Sequence, residues 1–96
     1  MKAVPALIKD LIKHRRIILS GKARDQLTTG RFDTDDLVNA ILHGNVIKKE
    51  KDERQRAQYK YTIVGPACSG EPMYSCGKVV TLLEKNYFII TFHEMR

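Results

Sequence analysis

His93 closes the run Tyr87-Phe88-Ile89-Ile90-Thr91-Phe92-His93, and its imidazole is the side chain best suited to move a proton near neutral pH. Lys13, Arg15, Arg16, Lys22 and Arg24 bring five cations into twelve residues that contain no acid. Such a cluster suits phosphate groups, although a solvated face has the same composition. Further along, Arg54 and Arg56 precede Tyr59 and Tyr61. The rings of these tyrosines, with Tyr74, could stack on unpaired bases or simply pack in a sheet. These residue types match what RNA cleavage without a metal requires, and many proteins that cleave nothing carry them too. One group takes the 2′-hydroxyl proton, another protonates the leaving oxygen, and cations hold the charge that builds on phosphorus. His14 and His43 fall at helix ends and are given no role.

Cys68 and Cys76 stand too far apart for a CxxC redox pair or a zinc knuckle, so free thiols are expected. The three histidines add no ligand spacing, and neither a metal nor another cofactor is expected. Seventeen Lys and Arg against eleven Asp and Glu leave a net charge of +6, which favours a polyanionic partner, nucleic acid first. Hydrophobic residues at 43% and charged residues at 29% are ordinary for a globular domain and argue against disorder. The first residues lack a signal-peptide core and no run approaches a membrane span, so a cytoplasmic protein is expected.

The elements that must hold these groups follow from periodicity. Val4, Leu7, Ile8, Leu11 and Ile12 repeat at helical spacing, which predicts an amphipathic helix over residues 3–14 with Pro5 in its first turn. Ile17-Ile18-Leu19 is too short to classify. Ser20 can cap a second short helix, with Ala23 and Leu27 on its apolar side and Gly30 at its end. A third helix starts at Asp33, with Asp35 and Asp36 in its first turn and Phe32 able to staple onto Leu37; Gly44 ends it.

From Asn45 the pattern turns to strands. Val46-Ile47 leads into a charged hairpin arm over 48–56, followed by strands at Tyr59 to Val64, Tyr74 to Leu83 and Tyr87 to His93. Strict alternation puts Phe88, Ile90 and Phe92 on one face and Tyr87, Ile89, Thr91 and His93 on the other. The expected architecture is a single α+β domain spanning 1–96, with a helical half at 1–44 and a sheet at 45–95. Two to three helices pack on one face of a four-stranded antiparallel sheet and leave the other face open.

Several short motifs, in this order, resemble the domain-of-unknown-function family numbered 4258. They are Lys22-Ala23-Arg24, Asp35-Asp36-Leu37-Val38-Asn39-Ala40-Ile41-Leu42 with Gly44-Asn45-Val46-Ile47, Tyr61-Thr62-Ile63-Val64-Gly65, Cys76-Gly77-Lys78-Val79-Val80, and Phe88 to Glu94. The likeness covers about residues 17 to 95. That family looks like a distant relative of RelE/ParE-type toxins. The resemblance therefore implies a toxin-like fold, mRNA as substrate and a cognate antitoxin, often a zinc-finger and helix-turn-helix protein, as partner; a homodimer stays open. One departure stands out: family members carry His-Ala-Arg where this chain has Lys22-Ala23-Arg24. Lysine keeps the charge but is a poor proton shuttle.

The expected roles are Lys22 and Arg24 on phosphate, His93 as general acid or base, Arg56 and Tyr61 orienting the substrate, and Arg15, Arg16, Arg54 and Tyr59 along the RNA. The rivals are a non-catalytic module that docks a protein through a sheet edge, and an RNA-binding domain that cuts nothing.

Overall fold

The computed structural model describes residues 2–52 and 58–95. They form three helices and one six-stranded mixed sheet. In chain order these are β1 (Lys2–Ala3), α1 (Ala6–Lys13), β2 (Ile17–Leu19), α2 (Gly21–Thr29), α3 (Thr34–Leu42), β3 (Asn45–Lys51), β4 (Tyr59–Pro66), β5 (Pro72–Thr81) and β6 (Lys85–Glu94). The α+β class is as the periodicity predicts, and β3 to β6 form the expected antiparallel meander. The sheet is nevertheless wider, in the order β1-β3-β4-β5-β6-β2. Two residues ahead of α1 pair with β3, so the helix starts at Ala6 rather than at residue 3. Ile17-Ile18-Leu19 runs parallel to Tyr87-Phe88-Ile89 and makes the sheet mixed.

Local signals set the helix ends. Ser20 caps α2, its oxygen accepting from the Ala23 amide at 3.0 Å. Asp33 and Asp36 form a reciprocal capping box on α3. The Asp36 carboxylate accepts from the backbone amides of Asp33 and Cys68, and these bonds hold its pKa below the ordinary carboxylate value. A pKa lowered by folding means stability that is complete above the unfolded value of 3.8 and is lost as pH falls through the folded one. Asp36→Ala is expected to cost on the order of 1 kcal/mol at neutral pH. It should also flatten the fall of Tm on acidification below about pH 4. An unchanged acid slope in thermal melts would remove this role from Asp36.

The core lies between the helices and one sheet face, where Ile8, Leu11, Ile12, Leu37 and Ile41 meet Ile63, Met73, Tyr87, Ile89 and Phe92. Leu7, expected on the α1 stripe, is instead 43% exposed. Gly77 has no room for a side chain: a Cβ would lie 2.7 Å from the ring of Tyr87, which crosses β5 at that point.

A β-bulge corrects the expected alternation of β6. Cys76 pairs with Thr91 but Gly77 pairs with Ile89, so Ile90 is an extra residue on β6. A bulge shifts every later side chain by one position. Tyr87 and Ile89, before it, and Phe92, after it, therefore all face the core. Phe88 does not join Phe92, and His93 emerges on the opposite, open face.

Candidate nucleic-acid interface

The open face carries side chains in cross-strand rows. Asn45, Val64, Tyr74 and His93 make one row, and Lys48, Thr62, Cys76 and Thr91 the next. Lys60 lies opposite Glu50, and Lys78 opposite Phe88. Glu50 and Asp52 offset part of this charge, since Lys48 pairs with Glu50 at 3.6 Å and Lys78 with Asp52 at 2.7 Å.

His93 is exposed, and its ring stacks on Tyr74 with centroids 4.5 Å apart and planes 16° from parallel. Its Nδ1 lies 2.8 Å from the Glu94 carbonyl oxygen. A carbonyl only accepts, so Nδ1 carries the hydrogen and the neutral ring keeps its lone pair on Nε2. The geometry is that of a base with one nitrogen held and the other able to take a proton.

Beside His93 lies a cleft of about 170 Å³ lined by Gln26, Thr29, Arg31, Phe92 and Glu94 among others. It exists because β2 covers only the first part of the β6 edge. Beyond Ile89 the edge is completed by α2 and its cap: Ser20 Oγ donates to the Ile90 carbonyl at 2.6 Å, and Gln26 Oε1 accepts from the Phe92 amide and the Thr91 hydroxyl, each at 3.0 Å. Arg31, which sequence reasoning missed, pairs with Glu71 and Glu94, so two carboxylates offset its charge. Gln26 and Thr29 were missed as well, because only the docking of α2 against β6 brings them to this place.

The predicted residues divide. Lys22 shares the α2 stripe of Gln26 and Thr29, at i, i+4 and i+7, and so lies on the side of the helix that borders the cleft. Arg24, two positions on, is turned about 160° away around the helix axis. Arg15 occupies the left-handed position (φ 58°) where α1 ends. There the amide of Arg15 donates to Ile12 and that of Arg16 to Leu11, the pairing that usually places glycine at this position. The Arg15 guanidinium pairs with Asp35 at 3.0 Å, and that of Arg16 with Glu84. The Arg16 carbonyl accepts from Tyr87, six residues before His93 and so about 20 Å along the strand.

Tyr61 pairs with Gly77, in the row of Ile89, so it faces the helix side of the sheet and does not share a face with His93. Tyr59 lies on that side too; the Lys49 ammonium is 4.4 Å from its ring centre and 5.7 Å from that of Tyr61. Arg54 and Arg56 lie outside the described residues.

Both cysteines are free thiols. Burial pushes the Cys76 thiol up, and desolvation followed by the Asp36 carboxylate does the same to Cys68, so neither is poised as a nucleophile. Among the described residues no three His, Cys, Asp or Glu side chains cluster to hold a metal ion, and no helix is long and apolar enough to cross a membrane. The chain matches no protein-family model, no curated protein and no solved structure.

Proposed function

We propose that this domain is a toxin-like endoribonuclease that lays single-stranded RNA, such as mRNA, across the open sheet face and cleaves it beside His93. The observation that carries the proposal is the exposed imidazole, held at Nδ1 by the Glu94 carbonyl and stacked on Tyr74. Nε2 takes the proton of a ribose 2′-hydroxyl. The 2′ oxygen bonds to the adjacent phosphorus, the bond from phosphorus to the 5′ oxygen breaks, and that oxygen leaves with a proton from solvent. The products are a 2′,3′-cyclic phosphate and a 5′-hydroxyl. Lys22, on the α2 stripe that leads to the cleft, and Lys60 on the open face supply charge for the phosphates. Tyr74 and Phe88 offer rings on which bases stack. The resemblance of its motifs to a toxin-like family adds a cognate antitoxin as partner in the same reading, and the cytoplasm as its setting.

One observation favours a second function, RNA binding without cleavage: His93 is the one imidazole at the site, where acid–base pairs are usual, and position 22, a histidine in the family that the chain resembles, is lysine. A labelled single-stranded RNA and its 2′-deoxy counterpart, incubated with the protein in EDTA, separate the two. The expected result is cleavage of the RNA alone, with cyclic phosphate ends. RNA retained intact, with affinity falling steeply with salt, establishes the binding domain instead. RNA neither retained nor cut overturns both.

A further inference from the structure

The edge of the sheet at β3 is only partly covered. β3 runs from Asn45 to Lys51, whereas β1 pairs with Asn45 and Val46 alone. Among the described residues, positions 47–51 have β4 on one side and no strand on the other. A register shift between Val46 and Lys48 marks where β1 stops. A cleft of about 390 Å³ opens at the same place, lined in part by Ala3, Val46 and Ile47 and by Lys2, Lys48 and Lys49. Ile47 is 46% exposed there.

We propose that this edge accepts an extended acidic segment of another protein as an additional β-strand paired to Ile47–Lys51. Backbone groups on an open strand edge are a template for a further strand, and a peptide has the alternating amides and carbonyls to complete it. Charge then selects the occupant. Lys49 and Lys51 lie in the rows of Tyr61 and Tyr59 on the helix side of the sheet, and neither makes an ion pair among the described residues. Lys49 rests on two tyrosine rings, which hold its charge in place without neutralising it. A strand with a carboxylate at every second position would set those acids opposite these lysines, about 5 Å away between Cβ atoms. A second copy of this chain is disfavoured, because pairing the same edges sets lysines against lysines between molecules that each carry +6. The edge lies three strands from β6, about 14 Å across the sheet, so the inference is independent of the chemistry at His93.

The test titrates the full chain, labelled for amide NMR, with a blocked eight-residue peptide that alternates glutamate with valine or threonine. Amide shifts are expected at positions 47–51 and on β1. Binding is expected to weaken at least about tenfold in the Lys49→Glu/Lys51→Glu double variant, as for loss of two paired charges. The same loss is expected for a peptide N-methylated on its pairing edge. Both lysines are exposed, so the variant should keep its spectrum elsewhere, and its RNA cleavage should match that of the parent. Unmoved edge amides at millimolar peptide, equal affinity for the N-methylated peptide, or shifts produced by single-stranded RNA and not by the peptide would each overturn the proposal. None of these outcomes bears on whether RNA is cut.

Discussion

Replacing His93 by alanine is expected to slow RNA cleavage by about 10²- to 10⁴-fold, the usual contribution of a positioned acid–base group. Folding should be untouched, because the imidazole is exposed and its hydrogen bond runs to the next residue's carbonyl. RNA affinity should also hold, since the lysines proposed to meet phosphate remain. The measurement is single-turnover cleavage of a labelled RNA, beside growth and transcript integrity after induced expression of both proteins. Growth arrest with cut transcripts is expected for the parent alone. Equal cleavage by parent and variant would take the chemistry away from this end of β6. A Tyr74→Leu variant separates positioning from proton transfer, because it removes the stacked ring and leaves the imidazole. Its expected signature is a smaller rate loss than that of His93→Ala.

Gly65→Ala is expected to lower stability by about 3 kcal/mol, as overpacking against fixed backbone does. α3 crosses β4 so closely that a Cβ at position 65 would lie 1.9 Å from the Ala40 carbonyl oxygen and 2.8 Å from the Gly44 Cα. No side-chain rotation relieves a clash with backbone, so α3 must move off the sheet and open the contact of Ile41 with the core. For a domain of this size the change corresponds to a fall in Tm of roughly 12 to 24 °C. Gly21→Ala is the control: nothing lies within 4 Å of its added methyl, and it stands in the first turn of α2. Alanine there should leave stability unchanged or raise it by up to about 1 kcal/mol. Urea melts of the two variants make the comparison. A Gly65→Ala protein within 1 kcal/mol of the parent would mean that the α3–β4 contact yields far more easily than its geometry implies.

The candidate site shows how far each kind of signal reaches. That His93 lies on the open face could be expected from alternation, yet the route differs from the expected one. Simple period two sets His93 with Tyr87 and Ile89, both of which are buried; the extra residue at Ile90 turns the strand between them. A bulge adds no distinctive residue type, so Ile89-Ile90-Thr91 reads as uninterrupted strand. The grouping of Lys22 with Arg24 failed for a comparable reason. They are neighbours in sequence, but two positions on a helix point to nearly opposite sides. The Tyr74–His93 stack depends on the pairing of β5 with β6, and Arg31 enters the cleft only because the α2–α3 link passes the end of β6.

Much of the secondary structure was written locally. Ser20 and Asp33 cap the helices that follow them, Gly30 ends α2, and the β-branched and aromatic runs after Asn45 become the meander. These signals act within about four residues, through hydrogen bonds and side-chain spacing that the chain carries wherever it lies. Tertiary structure alone decided the parallel seat of Ile17–Leu19 against β6, the bulge at Ile90, the separation of Tyr61 from His93 and the edge of β3 that no strand covers beyond β1 among the described residues. Each of these is a pairing between segments distant along the chain, and its energy comes from burying shared apolar surface and completing backbone hydrogen bonds that no short stretch of sequence contains.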